Sequence, residues 1–208
     1  KMLNRTRKSF YKEMIHVTQI KELTDQGFWT RVNYKPVASL KQNMLRYNST
    51  GKEFTDESLK QFHLANGINE KVVVAVNELK RAGRKHILIF TQFVSYAYDM
   101  SALIKGSVVI HGGLGKTERE VAINGFKSGK YTVAINVNVL GTGFDFPALD
   151  AIIHTRPTNS VGLWYQHVGR LVRIHPGKED TDLIDFSGNF KRFGRVEDFT
   201  FEYDPDYR

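Results

Sequence analysis

Apolar residues along most of this chain follow two alternating patterns. Helical spacing of apolar residues runs through INEKVVVAVNELKRAG, over about residues 94–105, and from Thr117 to Lys127. Between these segments lie short apolar runs rich in branched side chains: KHILIFT, SVVIH, YTVAINV, DAIIHT and TDLIDF. Such runs are typical of strands buried on both faces. The alternation after Asp56 therefore predicts an α/β fold, a parallel sheet with helices on both faces.

The stretch WYQHVGRLVRIHPG, residues 164–177, predicts one more helix with an unusual polar face. Steps of four and three residues put Gln166, Arg170 and Arg173 on one side. The apolar side carries Trp164, Val168, Leu171 and Val172. Gly169 in mid-helix would cost about 1 kcal/mol relative to alanine. We therefore expect something to approach the backbone closely there, in front of the arginines.

The first 56 residues follow a weaker pattern. Apolar residues recur every three positions from Glu13 to Gln26, and Gly27 can end the helix that this spacing predicts. Residues 30–56 have little periodicity and contain Pro36 and NSTG, so we expect a connection or a flexible basic loop there.

The net charge of +8 is concentrated at the N-terminal end. Residues 1–52 contain 11 Lys or Arg against three acidic residues, whereas the remainder balances 19 basic with 19 acidic residues. A basic segment beside a neutral domain fits contact with a phosphate backbone. A solvated face on a helical arm explains the same charge equally well.

Composition excludes several classes of function. The chain has no cysteine, which rules out disulfides, a thiolate nucleophile and cysteine-based metal sites. No apolar run is long enough to span a membrane, and the N-terminus lacks a signal-peptide core, so we expect a cytoplasmic protein. We expect no metal site, because four histidines show no metal-ligand spacing: His111, His154, His167 and His175.

The segment HGGLGKTE, residues 111–118, is similar to the end of a phosphate-binding loop but lacks its first glycine. That position is Ile110. Lys116 is better explained as the beginning of the next helix. Gly112 and Gly113 still expose backbone amides directly after a predicted strand, where they could bind a phosphate of nucleic acid.

Four segments in order resemble the second RecA-like domain of superfamily 2 helicases and translocases: ILIFTQF, IHGGLGKTEREVAINGF, NVNVLGTGFDFPALDAIIHTRPT and QHVGRLVRIHPGK. The resemblance covers about residues 68–188. VLGTGFDFP and LIDFSGNFKRFG are most similar to RadD-type bacterial DNA-repair helicases and their phage relatives. Motor subunits of restriction enzymes share the first of these phrases.

The resemblance implies a RecA-like parallel sheet preceded by a basic N-terminal helical arm. It divides the chain into three parts. Residues 1–56 would form the segment leaving a missing first RecA-like domain, residues 57–190 the helicase C-terminal RecA-like domain, and residues 191–208 a C-terminal tail.

The resemblance also implies a nucleotide site. Its Q-x-x-G-R-x-x-R motif makes Arg170 and Arg173 arginine fingers that reach ATP on the first domain, a role that suits a permanently charged guanidinium. Gln166 would hold the nucleotide or bridge to that domain. The GTGFDFP segment adds Gly141, Gly143 and Asp145, of which Asp145 would couple the ATP cleft to the nucleic-acid surface.

For nucleic acid, the resemblance points to three loops that follow strands. The residues are Thr91, Gln92, Gly112, Gly113, Asn136 and Asn138. Many family members have threonine where this chain has the two asparagines. Each of these residue types also caps helices or closes turns.

The chain contains neither a complete Walker A loop nor a D-E-x-x box, so ATP with Mg²⁺ would be held mainly by the missing first domain. We therefore expect the C-terminal motor half of an ATP-dependent DNA helicase or translocase, inactive alone, in a bacterial or phage-infected cell. Its substrate would be single-stranded or branched DNA, with RNA as the alternative. Two other readings are a non-catalytic nucleic-acid-binding module with the same fold and the motor part of a restriction complex.

Overall fold

A six-stranded parallel sheet forms the centre of the described protein. The computed structural model describes residues 20–37, 39–140 and 144–199. The strands are β1 (Arg31–Pro36), β2 (Ile87–Phe90), β3 (Ser107–His111), β4 (Val133–Val137), β5 (Ala151–His154) and β6 (Asp180–Asp185). Their order across the sheet is β1-β6-β5-β2-β4-β3, and every pair is parallel. The predicted α/β architecture is confirmed.

Helices cover both faces of this sheet. They are α1 (Ile20–Asp25), α2 (Asp56–Ala65), α3 (Ile68–Arg81), α4 (Val94–Leu103), α5 (Lys116–Lys127), α6 (Val161–Val168) and α7 (Asn189–Phe193). Short 3-10 turns lie at Gln42–Met44 and Val196–Asp198. In β2, Ile87 and Ile89 pack with residues of α3 and α4, whereas Leu88 and Phe90 pack with residues of α5 and α6. Alternation along a strand thus divides one apolar run between two cores.

Strand β1 lies where the sequence pattern predicts only a connection or a flexible loop. It pairs with β6 along its whole length at one edge of the sheet. Within β1 only Val32 is buried, so no continuous apolar run marks the strand. Polar contacts fix it instead: Lys35 Nζ lies 2.8 Å from Asp182 Oδ1, and Asn33 Nδ2 donates to Asp180 at 3.0 Å. An edge strand tolerates Pro36 because one of its sides needs no partner.

Helix α6 is shorter than predicted. It ends at Val168, and Gly169 caps it with a backbone N–H that donates to Tyr165 O at 2.8 Å. A Cβ on residue 169 would lie 3.0 Å from the same carbonyl oxygen. That oxygen belongs to the helix itself, four residues earlier, so the close approach expected at Gly169 stays a prediction. Arg170 and Arg173 lie in the turn beyond the helix.

Helix α1 (Ile20–Asp25) corresponds to the C-terminal part of the helix predicted over residues 13–26. Gly27, with φ +76°, follows it in the left-handed region that glycine adopts without strain. The first 19 residues, which include the basic arm's beginning, lie outside the described residues, as do residues 200–208 of the predicted tail.

Gly125, inside α5, allows the cost of a steric clash to be compared with the gain in helix propensity. A Cβ on residue 125 would lie 2.7 and 2.8 Å from two ring carbons of Tyr131. We expect Gly125→Ala to lower the free energy of unfolding by about 1–2 kcal/mol, because the clash outweighs the gain in helix propensity. Urea unfolding followed by circular dichroism measures this.

The matched control is Asn124→Ala at the exposed neighbouring position of the same helix, which should hold or raise stability. A Gly125→Ala protein as stable as the wild type would mean that the Tyr131 ring moves aside without cost.

Candidate functional site

The candidate functional residues lie at the carboxyl ends of the central strands. Strands β2, β4 and β5 are parallel neighbours, so the segments that follow them leave the sheet at the same edge. Ligands of open parallel sheets bind at this edge. A cavity of about 210 Å³ lies here against α6. Its polar lining residues are Thr91, Asn136, Asn138, Arg156, Gln166 and His167.

Four of those six residues are predicted site residues, and the structure brings them together from the ends of two strands, β2 and β4, and from helix α6. Arg156 and His167 are the two that the sequence reasoning missed. Little in the sequence marks these two residues as binding residues. Arg156 lies in the segment HTRPT and His167 in the motif QHVGR, but neither belongs to a regular pattern of polar residues. Gln92 follows Thr91 but does not line the cavity.

Thr91 is buried without a hydrogen bond for its hydroxyl. The residue is 1% exposed, and its Oγ1 has no partner among the described residues. The half-buried Gln92 has an unpartnered Oε1 as well. A buried polar atom without a partner is costly, and in native proteins it is uncommon. Thr91 Oγ1 therefore marks a place where the fold leaves hydrogen-bonding capacity unused.

The two asparagines shape the loop after β4. Asn136 is buried, and its Oδ1 accepts from the backbone N–H groups of Val139 (3.2 Å) and Leu140 (2.8 Å). Asn138 is exposed and has φ +59°, a left-handed conformation that asparagine tolerates better than most residues. Its Oδ1 accepts from the Arg156 guanidinium. The Asn136 side chain thus closes the turn after β4. The Asn138 side chain instead holds the Arg156 guanidinium at the cavity.

Behind the cavity, two buried histidines form a chain of hydrogen bonds. His154 Nε2 lies 2.8 Å from His167 Nδ1, and His154 Nδ1 lies 3.3 Å from Asn189 Nδ2. Phe90 stacks on the His167 ring with centroids 3.7 Å apart. Burial, aided by the Arg156 charge, lowers the pKa of His154 to about 3. Burial also holds the pKa of His167 well below its ordinary value, so both rings are neutral near pH 7.

The predicted arginine pair forms a second cluster with Asp145. Arg170 Nη1 donates to the carbonyl oxygen of Phe144 at 2.5 Å, and Arg173, which is exposed, forms an ion pair with the exposed Asp145. Burial and the neighbouring Arg173 lower the pKa of Arg170, while Asp145 opposes that shift. A guanidinium group is a donor suited to phosphate oxygens, and two of them follow α6 within four residues. Gly141 and Gly143 lie outside the described residues.

Lys178 ties this cluster together, and sequence reasoning missed it. Its Nζ donates to three backbone carbonyl oxygens: Pro147 (2.7 Å), Leu149 (3.1 Å) and Leu171 (3.0 Å). Burial lowers the pKa of Lys178 to about 8, against the opposing effect of Asp150. The ammonium thus joins the segment after Asp145 to the turn that carries the arginines. In the sequence, Lys178 is distinguished only by its position directly after Pro176 and Gly177, and it belongs to no periodic pattern.

Gly112 and Gly113 lie apart from the cavity, beyond β3 at the edge of the sheet. Both are exposed, and Gly113 N donates to His111 Nδ1 at 3.1 Å. Lys116 begins α5, and the Glu118 carboxylate accepts from Gly115 N at 3.1 Å. The start of α5 at Lys116 agrees with the prediction that this lysine begins a helix and that HGGLGKTE is not a phosphate-binding loop.

Two further features of the described part of the chain concern metal binding and membranes. Within that part of the chain, no group of three or more His, Asp or Glu side chains could hold a metal ion. No helix there combines the length and apolarity needed to cross a membrane.

Known proteins share both the sequence and the fold. Residues 55–175 match the family described as the helicase conserved C-terminal domain. DEAD-box ATP-dependent RNA helicase 7 of Oryza sativa subsp. japonica is 33% identical over 172 residues, which are 76% of this chain and 24% of that protein. Putative ATP-dependent helicase IRC3 of Saccharomyces cerevisiae is 24% identical over 181 residues, 85% of this chain and 26% of that protein. The chain thus spans about a quarter of these relatives' length.

Two solved structures have the same fold. A fragment of a putative HsdR subunit of a type I restriction enzyme from Vibrio vulnificus superposes with a TM-score of 0.70 at 18% identity, over 95% of this chain and 38% of that one. The DEAD-box protein SrmB of E. coli, solved with regulator of ribonuclease activity A, gives 0.51 at 13% identity, over 80% and 83%. These likenesses confirm the predicted RecA-like sheet.

The family match covers more than half of the chain and includes the cavity, the Asp145 loop and the arginine turn. The chain belongs to the helicase C-terminal domain family of superfamily 2 helicases.

Proposed function

We propose that this chain is the C-terminal motor half of an ATP-dependent DNA helicase or translocase, in which Arg170 and Arg173 act as arginine fingers. The observation that carries the proposal is the arginine turn itself. The half-buried Arg170 and the exposed Arg173 both follow α6, and Arg173 pairs with the carboxylate of Asp145. Family membership supports the ATP-dependent reaction, and the arginine roles rest on this geometry.

The two arginines differ in how they are held. Arg170 is fixed by the Phe144 carbonyl, whereas Arg173 is exposed and paired only with an exposed carboxylate in the described contacts. Exposed ion pairs are weak, about 0–1 kcal/mol, so a polyphosphate can replace Asp145 as the partner of Arg173. We therefore assign Arg173 to the γ-phosphate and Arg170 to the adjoining oxygens. ATP with Mg²⁺ would supply the phosphoryl group, and the guanidinium groups would stabilise the charge that develops on it.

Asp145 is suited to couple the nucleotide to nucleic acid. The segment from Asn136 to Pro147 begins at the cavity and ends at the arginine turn. Exchange of Asp145 for phosphate at Arg173 would free Asp145, while Lys178 keeps the segment fastened at Pro147. The family motif assigns Gly141 and Gly143 to the nucleotide site, and Gln166 would contact the nucleotide or the first RecA-like domain.

We propose that the nucleic-acid surface lies at the carboxyl ends of the strands. Its contacts would be Thr91, Gln92, Gly112, Gly113, Asn136 and Asn138. We propose DNA as the substrate, in line with the resemblance to RadD-type helicases, although several relatives are named RNA helicases. We also propose the division into a linker (1–56), the helicase domain (57–190) and a tail (191–208), with the first RecA-like domain as the partner that holds most of the ATP site.

Arg173→Ala tests the finger assignment. In the full-length protein that carries this chain, we expect the kcat of nucleic-acid-stimulated ATP hydrolysis to fall by about 10³-fold, because a finger acts mainly in the transition state. A coupled assay for phosphate release measures this, with DNA and RNA as separate stimulants.

The matched control is Arg81→Ala, which removes an exposed arginine at the end of α3 and should leave turnover unchanged. Normal turnover in Arg173→Ala would refute the finger assignment. A full-length protein with no ATP dependence at all would favour the non-catalytic binding module.

Lys178→Met tests how the arginine turn is held. The variant leaves up to three carbonyl oxygens without their donor, so we expect the free energy of unfolding to fall by about 1–3 kcal/mol. Urea unfolding of this chain measures the change. Lys85→Met, which changes an exposed lysine nearby, should be neutral within about 0.5 kcal/mol. Equal stability of the two variants would mean that water replaces the ammonium without cost.

A further inference from the structure

We propose that Thr30 is a positioning residue for Arg173, because two hydrogen bonds from Thr30 hold the backbone of the arginine turn, residues 169–173. Thr30 N donates to Val172 O at 2.7 Å, and Thr30 Oγ1 donates to Arg173 O at 3.0 Å. Thr30 and Arg173 are 143 residues apart in the sequence. The inference rests on the proposed function, since it takes Arg173 as an arginine finger, and it adds a residue that acts through the backbone of that finger.

Thr30 is itself anchored on both sides. The residue is 5% exposed. Before it, the backbone N–H groups of Phe28 and Trp29 donate to Leu23 O at 2.8 and 3.1 Å. After it, Arg31 begins β1, which pairs with β6. A group that its surroundings fix in this way can hold a neighbouring backbone in a defined place, as a group on a loose loop cannot.

The arginine turn takes its hydrogen-bond donors from outside. Three successive carbonyl oxygens lie beyond the end of α6 and accept from other segments. Leu171 O accepts from Lys178 Nζ at 3.0 Å, and the carbonyl oxygens of Val172 and Arg173 accept from Thr30. Leu171 and Val172 are buried, and a buried backbone carbonyl needs a donor. Thr30 and Lys178 together therefore determine the path of the backbone through this turn.

The contacts of Arg173 hold its backbone more firmly than its side chain. The Arg173 side chain is 42% exposed, and its partner Asp145 has a side chain that is 62% exposed. An ion pair between such exposed groups is weak. The place from which the guanidinium group extends is thus set by the bond between Thr30 and the Arg173 carbonyl. Misplacement by about 1 Å can slow an enzymatic reaction by about 10²-fold, so this bond matters for the transition state.

Thr30 also connects the arginine turn to the segment before β1. It belongs to residues 1–56, the proposed connection from the first RecA-like domain. The neighbouring Trp29 packs against the core cluster that contains Leu171 and Val172. The chain that arrives from the domain holding ATP would thus be fastened to the backbone that carries the finger.

Thr30→Val removes the hydroxyl and keeps the backbone N–H group. In the full-length protein that carries this chain, we expect the kcat of nucleic-acid-stimulated ATP hydrolysis to fall about tenfold, because the finger is no longer held in place. The KM for ATP should stay within about twofold of the wild-type value, since a finger acts mainly in the transition state. Thr30→Ser keeps the hydroxyl and should restore most of the kcat. A coupled assay for phosphate release measures both constants.

Thr181→Val is the matched control. Thr181 lies in β6, is buried, and donates from Oγ1 to Arg31 O at 3.2 Å. This variant also loses a hydrogen bond from a threonine hydroxyl to a backbone carbonyl beside β1, but the bond does not involve the arginine turn. We expect similar losses of stability in urea for the two valine variants and a wild-type kcat for Thr181→Val. Equal falls in kcat would overturn the proposal, because loss of stability would then explain both.

The double variant Thr30→Val with Arg173→Ala tests whether Thr30 acts through Arg173. Residues that act as a unit are not additive, so the double variant should have the kcat of Arg173→Ala alone. A further fall in kcat would overturn the proposal. Wild-type turnover in Thr30→Val beside a defective Arg173→Ala would overturn it as well, while the finger assignment would stand. Wild-type turnover in Arg173→Ala would overturn both.

Two measurements on this chain itself need no ATP hydrolysis. The nitrogen-15 order parameter of the Arg173 backbone amide should be lower in Thr30→Val than in the wild type and unchanged in Thr181→Val. The Thr30 amide of the unaltered chain should exchange slowly with deuterium, because it donates to Val172 O. Exchange at the rate of an exposed amide would overturn the proposal, even if Thr30→Val failed to fold.

Discussion

Parallel pairing of β2 with β4 and β5 is the constraint on which the candidate site depends. Phe90 lies opposite Asn136 on one side and His154 on the other. Because the strands run in the same direction, the residues that follow them emerge together, and three separate segments build one cavity. A slip of one residue in any pair would turn alternate side chains to the opposite face and would break up both the core and the polar lining.

The same pairing forces polar groups into the core, and their hydrogen bonds explain much of the local detail. His154 and His167 are buried against Phe90 and Trp164. Such groups are tolerated only when they are neutral and hydrogen-bonded, and Asn189 completes their chain. Against this well-satisfied background the unpartnered hydroxyl of Thr91 is conspicuous.

A single segment connects the cavity to the arginine turn. It leaves β4 at Asn136, passes Asp145 beside Arg173, and is fastened at Pro147 by Lys178. Its two ends are thus held by buried or partly buried hydrogen bonds, whereas its contact with Arg173 is exposed.

The sequence by itself determined the α/β class, five of the six strands and the position of Thr91, Asn136 and Asn138 at the carboxyl ends of the strands, because continuously apolar runs and regular helical spacing are local signals. Tertiary structure alone decided the rest. Strand β1 depends on pairing with β6, and the end of α6 at Val168 depends on turn geometry beyond the apolar pattern. The roles of Arg156 and Lys178 follow from partners 18 to 31 residues away. Contacts between distant segments leave no periodicity in a sequence, since they arise only once the sheet has brought those segments together.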